Sequence, residues 1–268
     1  MRPDGSAIRV LGEGQNAQWT TDGRIEYTAE AQFSEPPTYL INSDGTGQVV
    51  VFAGTQPEDE HLDEVLSPDG KWTAFISTRD DNLELYVTRP DGTQVQRLSN
   101  TPRADEAYPQ WSPDSKRILF GSTRNGRYEL FIINIDGTGL AQLTDAHNVC
   151  CADHYGTWSP DGQQLAFSSI TPRGAELSLM NPDGSERYVL VHGGEVPQWS
   201  PEGRRMAFVR PEGVFVINVD GSSETQVARF SQPGFRWMDN AHIELQMPDD
   251  SRPVVRADGS DLATSPRP

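Results

Sequence analysis

The chain has 268 residues, enough for one large all-β domain or two small ones with a substantial core. Its 39 acidic side chains against 22 basic ones give a formal net charge of -17, a surface that repels phosphate backbones and anionic lipid, which argues against nucleic-acid and membrane-surface partners. No apolar run approaches the roughly 18 residues a membrane-spanning helix needs, and the opening "MRPDGSAIRV" has no apolar signal-peptide core, so a soluble chain without membrane insertion is expected.

In chain order, the first element is "DGSAIRVL" at 4–11, which matches the internal "DGTQVQRL" at 91–98 and reads as the end of a third strand followed by a fourth. A turn "QWTTDG" comes next at 18–23, and its relatives follow at regular intervals. They are "VLSPDG" at 65–70, "QWSPDS" at 110–115, "TWSPDG" at 157–162, "QWSPEG" at 198–203 and "RWMDN" at 236–240. The acidic position recurs at Asp22, Asp69, Asp114, Asp161, Glu202 and Asp239, with spacings of 47, 45, 47, 41 and 37 residues. Periods in the forties are those of propeller blades.

Ser-Pro-Asp-Gly suits a type I turn, with Ser first, Pro presetting φ at the second position and Gly last. An apolar run follows each turn, as in "KWTAFIS", "KRILFGS", "QQLAFSS" and "RRMAFVR". A second strand-and-turn comes after it, as in "LELYVTRPDGT", "YELFIINIDGT", "AELSLMNPDGS" and "GVFVINVDGS", and short runs such as "QVQRLS" and "LAQLT" close the unit. Four antiparallel strands joined by tight turns, with no amphipathic helix competing, make a propeller blade. Trp19, Trp111, Trp158, Trp199 and Trp237 share one place, the end of the first strand, where packing between blades is expected. The repeated Asp residues could suit calcium, but turn chemistry accounts for them without a metal.

The runs "LSPDGKWTAFISTRDDNLELYVTRPDGTQVQRLS" and "QWSPDSKRILFGSTRNGRYELFIINIDGTGLAQLT" resemble the repeat of the TolB-type β-propeller. The expected fold is therefore all-β, a single six-bladed propeller of four-stranded antiparallel blades. The blades fall roughly at 12–58, 59–103, 104–147, 148–193, 194–230 and 231–268. Closure is expected through the N-terminal strand 6–11 laid beside residues 252–257, with the tail "RADGSDLATSPRP" the poorer competitor because of its prolines. A chain opening in mid-blade is expected to belong to a longer protein. The resemblance implies a periplasmic or extracellular bacterial protein that binds other proteins, and a monomer is expected. It also covers propellers beside peptidase domains and metal-dependent pectin-fragment lyases.

In an up-and-down blade the inter-blade links and the second-to-third loops share one face, and the uniform Asp-Gly turns lie on the other. The variable face is the candidate ligand site. It collects His61, Arg103, Glu106 and Tyr108, then Asp153, His154 and Tyr155, then His192 and Glu195, with Arg79 and Arg124 from second-to-third loops. One reading pairs Arg79 and Arg124 with acids of neighbouring inter-blade loops to hold blades in register. A second makes the face a recognition surface for a protein, a peptide or a small polar ligand, cationic or zwitterionic. A third places a divalent metal such as manganese or calcium on some of His61, His147, His154 and His192 with a carboxylate, for a lyase or hydrolase acting on an oligosaccharide. No ligand pair has a diagnostic spacing.

No G-x-S-x-G elbow, Walker loop or dinucleotide fingerprint is present, and "GSTRNG" at 121–126 lies between strands. The resulting expectation is a non-catalytic binding module without a cofactor, with the metal-dependent enzyme as alternative. Adjacent Cys150 and Cys151 are poor joint zinc ligands. Two states stand open for them, free thiols or a vicinal disulfide, the latter strained because neighbouring Cα atoms are about 3.8 Å apart. The oxidising compartment implied by the resemblance would preserve the disulfide, and that is the expectation carried forward.

Overall fold

The turns set the register of the strands they join. In the computed structural model, residues 15–19, 24–28, 38–42, 49–52, 61–145, 153–229, 234–246, 251–260 and 263–264 are described. Gly70 donates its amide to Ser67 O at 2.8 Å, and Gly162 and Gly203 repeat that bond to Ser159 and Ser200 at 2.8 Å each. The Ser hydroxyl then works twice. Ser112 Oγ donates to Asp114 Oδ1 at 2.6 Å and accepts the Arg117 amide at 2.9 Å, and Ser159 does the same with Asp161 at 2.6 Å and Gln164 at 2.9 Å. At the same end of the blade, in the turns after the third strands, Asp91, Asp136, Asp183 and Asp220 each accept the amide of the residue two further on, at 2.9 Å. The repeated carboxylates are thus engaged by turn donors, which is the chemistry expected of them.

Contacts divide the chain into two units, Met1–Arg103 and Ala104–Pro268. The first unit holds two sheets. One runs β1 (Gln15–Trp19), β2 (Arg24–Thr28), β3 (Thr38–Asn42) and β4 (Val49–Phe52); the other runs β5 (His61–Leu66), β6 (Thr73–Ser77), β7 (Glu84–Thr88) and β8 (Gln96–Arg97). All pairings in both are antiparallel between consecutive strands.

The second unit begins with β9 (Glu106–Trp111), β10 (Arg117–Ser122), β11 (Glu129–Asn134) and β12 (Ala141–Gln142). A second sheet follows with β13 (Asp153–Trp158), β14 (Leu165–Thr171), β15 (Gly174–Met180) and β16 (Tyr188–His192). A third is built of β17 (Glu195–Trp199), β18 (Arg205–Arg210), β19 (Gly213–Asn218) and β20 (Thr225–Arg229), and the last of β21 (Gly234–Trp237), β22 (His242–Gln246) and β23 (Val254–Arg256). The short β24 (Ala263–Thr264) pairs in parallel with β20, through Ala228↔Ala263 and Arg229↔Thr264, and not with β23. Among the described residues the tail therefore adds to the third sheet of the unit and not to the last. The expected closing strand 6–11 lies outside the described residues.

Every residue of β6 and β7 is buried, as is nearly all of β10 and β11, whereas β12 is exposed. Middle strands buried on both faces explain why their sequences are almost unbroken apolar runs. In the second unit the core lies between successive sheets. Leu119, Leu130 and Ile132 pack on Trp158, Leu165, Phe167 and Met180, and Ala166, Leu177 and Leu179 pack on Trp199, Met206, Phe208 and Phe215. Each fully buried Phe in these seams contributes roughly 1.5–3 kcal/mol. The tryptophans are clamps between blades: Trp158 donates its indole N–H to Gln110 O at 3.3 Å, Trp199 to Thr157 O at 3.4 Å and Trp237 to Gln198 O at 3.1 Å. The fold is all-β, made of propeller blades. No helix among the described residues is long and apolar enough to cross a membrane.

Candidate functional site

Antiparallel order puts the start of a blade's first strand, the end of its second, the start of its third and the end of its fourth at one end of the sheet. The backbone register confirms the grouping: His61 pairs with Ser77, Glu106 with Ser122, Asp153 with Ser169, and Glu195 with Val209. In the second unit the first strands also pack on one another in turn, β9 with β13, β13 with β17 and β17 with β21. Glu106 and Tyr108, Asp153 to Tyr155, and Glu195 thus stand at matching places on consecutive strands of one rim.

That rim is irregular in a repeated way. The first strands β9, β13 and β17 of this unit carry a bulge, between Ala107 and Gln110, His154 and Thr157, and Glu195 and Gln198, and β5 of the first unit carries one of its own between Leu62 and Val65. At the bulge three non-glycine residues have left-handed backbone, Asp63 at φ 52°, Tyr108 at φ 54° and Val196 at φ 53°. Such a conformation costs on the order of 1–3 kcal/mol for residues with a Cβ, most for a β-branched one, and persists only where the surroundings enforce it. Pro109 and Pro197, which have no N–H for the ladder, follow two of them. Ser168 supplies another constraint, accepting the Val196 amide at 3.1 Å from the preceding blade. Tyr108 is 44% exposed.

Behind the rim the charges are spoken for. Glu106 is buried, and Arg124 donates to its Oε1 at 2.9 Å. Arg124 also bonds Ser122 Oγ at 2.9 Å and lies 4.3 Å over the Phe131 ring. Glu106 is one of the acids the sequence places in the inter-blade links, and the pair joins the start of a first strand to the second-to-third loop of the same blade. Arg79 repeats the posture, with Nε on Ser77 Oγ at 3.2 Å and its guanidinium 4.9 Å over Tyr86. In the third blade of the second unit Arg210 takes the role over Phe208 and Phe215 and pairs with Glu224 at 2.6 Å.

A second set of carboxylates escaped the sequence reading, those at or near the start of three third strands: Glu84, Glu129 and Glu176. Glu84 is buried and accepts from the Thr101 amide at 2.6 Å, Arg97 at 2.7 Å, Asn82 at 3.2 Å and the Ser99 hydroxyl. Burial pushes its pKa up, but these donors outweigh it and hold the carboxyl below the ordinary glutamate value. Glu129 accepts from Asn125 at 3.0 Å and from Gln142. Glu176 meets His192 Nδ1 at 3.3 Å, on an imidazole 77% exposed. The signal was the recurrence of Glu in "LELYV", "YELFI" and "AELSL", three charges at the mouth of buried strands.

Other expected site residues are dispersed. Arg103 is exposed at the end of the first unit. His61 opens β5 in that unit, while His154 and His192 lie on opposite edge strands of one sheet, so by strand spacing their backbones stand about 14 Å apart. Among the described residues no three His, Cys, Asp or Glu side chains gather closely enough to hold a metal ion. His147, Cys150 and Cys151, with the expected vicinal disulfide, lie outside the described residues.

Comparison with curated protein sequences gives no match. Among solved structures the chain is similar to TolB from Acinetobacter baumannii, 24% identical with a TM-score of 0.57, over 77% of this chain and 52% of that one. The chain thus spans about half of that TolB. It is also similar to an oligogalacturonate lyase in complex with manganese, 15% identical with a TM-score of 0.69, over 91% of this chain and 77% of the lyase. A prolyl endopeptidase matches at 15% identity and a TM-score of 0.66, over 92% of this chain and 42% of its own length. At such identities these likenesses speak for the fold. The sequence profile of the TolB beta propeller domain matches residues 61–234, well over half of the chain, and with the blades described above the chain belongs to that family.

Proposed function

We propose that the chain is a non-catalytic binding propeller of a bacterial periplasmic or extracellular protein, whose contact surface is the rim of bulged first strands. The carrying observation is the repeated left-handed backbone at Tyr108 and Val196, where glycine would be free of the cost. Backbone strain kept at one register position in two blades of the unit points to a role for the side chains it aims. Tyr108, exposed on a rigid strand, is the kind of anchor that recognition surfaces use. With Glu195 nearby in register and a chain of net charge -17, a cationic or zwitterionic peptide segment of a partner protein is the fitting ligand.

The test uses a panel of short cationic and zwitterionic peptides, followed by chemical-shift perturbation of the chain. Shifts should gather at Tyr108 and Val196, and Tyr108→Gly and Val196→Gly should weaken binding several-fold. The same variants should hold or raise the melting temperature, because glycine relieves about 1 kcal/mol of strain per site. Unchanged peptide binding in both variants overturns the reading.

The metal-dependent alternative draws on the likeness to the manganese-bound lyase. It is answered by incubating the chain with manganese and oligogalacturonate and following ultraviolet absorbance, since an elimination creates a conjugated double bond. Turnover there replaces the binding reading.

A further inference from the structure

Asn125 and Gly126 form the one Asn-Gly dipeptide in the chain, in the loop between β10 and β11. Both residues are exposed. Gly126 has φ +86°, and nothing stands within 4 Å of where a Cβ on it would be. Its amide nitrogen donates to Thr123 O at 2.8 Å, in an exposed loop that can open at small cost. Meanwhile the Asn125 side chain is a clasp. Its Nδ2 donates to Glu129 Oε2 at 3.0 Å and to Gln142 Oε1 at 3.1 Å. Gln142 in turn donates to Glu129 and to Thr144 O, the latter at 2.7 Å. The clasp ties the two-residue edge strand β12 to the buried start of β11.

We propose that Asn125 is a site of spontaneous deamidation whose product releases that clasp. The Gly126 nitrogen gives up its proton to solvent and attacks Asn125 Cγ. A nitrogen–carbon bond forms in a five-membered imide, the side-chain carbon–nitrogen bond breaks, and ammonia leaves after taking up a proton. Water then opens the imide at either carbonyl, leaving an aspartyl or isoaspartyl residue, so no oxidant or reductant takes part. The amide that donated to two acceptors becomes a carboxylate facing them. One of these belongs to Glu129, only 2% exposed, so two carboxylates confront each other at the edge of the core. The new charge also sits on the loop end of the blade, beside the rim described above.

The repeat supplies an internal control. Asn82 has the matching task in its own blade, donating to Glu84 Oε1 at 3.2 Å and to Thr101 O at 3.1 Å, but Leu83 follows it. A side chain on the following residue shields the attacking nitrogen. Folded protein is held in mildly alkaline buffer and its peptides are mapped by mass spectrometry. Aspartyl and isoaspartyl products should accumulate at 125 several-fold faster than at 82. An intact Asn125, or equal rates at the two sites, overturns the site. The clasp is tested with Asn125→Asp, which should lower the melting temperature and speed amide exchange at Ala141 and Gln142. The loss should shrink when Glu129→Gln is added. An equal loss in both backgrounds, or none, overturns the repulsion. If Asn125→Asp fails to fold, the aged native protein gives the same exchange measurement, and unchanged exchange in its deamidated fraction counts against the proposal.

Discussion

Glu106 sits in "DEAYPQW", a stretch whose polarity suggests a loop residue in water, yet the carboxylate is wholly buried. Its partner Arg124 is 18 residues further on, across the second strand, and no local pattern announces that pair. The guanidinium is fixed from three sides, by Glu106, by Ser122 and by the faces of Phe131 and Phe120. Glu106→Ala should therefore cost about 3 kcal/mol in urea unfolding, the price of leaving a mostly buried charge unmatched. Glu106→Gln, which keeps an acceptor, should cost less. A loss below about 1 kcal/mol for the alanine variant would show that the rings and Ser122 hold Arg124 unaided. The residues that sequence reading placed well are those with local chemistry, the turn Ser and Asp pairs and the tryptophans. Glu106, expected on the ligand face, takes its burial from contacts that only the folded sheet creates.

At the scale of the strand, periodicity and turn spacing were enough to expect four-stranded antiparallel blades, because each hairpin is closed by residues adjacent in sequence. The bulges were invisible for a physical reason. Left-handed backbone is usually advertised by Gly or Asn, whereas Asp63, Tyr108 and Val196 occupy it here. The parallel addition of β24 to β20 was equally hidden, since a two-residue strand has no period to read. Gly213 is the opposite case, a departure from the repeat with a visible cause. Glu84, Glu129 and Glu176 stand at or near the start of the third strands of the three preceding blades, but here glycine stands at φ +142°, and a Cβ would lie 1.9 Å from Ala228 O. The close approach of β20 to the start of β19 requires the bare backbone. Gly213→Ala should cost on the order of 3 kcal/mol, with loss of exchange protection in β19 and β20 before the other sheets of the unit. Uniform loss of protection across the unit would place the strain elsewhere.

Over the whole molecule the repeat multiplies one small electrostatic device. The Ser and Thr hydroxyls beside Asp91, Asp114, Asp136, Asp161, Asp183 and Asp220, together with the nearby backbone amides, hold those carboxyls below the ordinary aspartate value. At Asp239 the His242 ring is the leading cause, and at Asp258 it is the Ser260 amide. At Asp69 burial pulls upward, but Ser67 and Lys71 outweigh it. A carboxyl with a lowered folded pKa binds fewer protons folded than unfolded, so its contribution is complete above the unfolded value of about 3.9 and fades as pH falls through the lowered one. Stability should accordingly stay level from neutral pH down to about 5 and decline below about 4, in steps shared among the sheets that carry these carboxyls. Most of these groups are exposed, so each contribution is small and only their number makes the slope steep. Changing Asp136, Asp183 and Asp220 together to Asn, which keeps an oxygen acceptor for each turn, should flatten the acid limb of the stability curve and leave the neutral limb nearly in place. An unchanged acid slope in the triple variant would move the cause of acid unfolding to the buried carboxylate Glu84, whose protonation strips Arg97 of its partner.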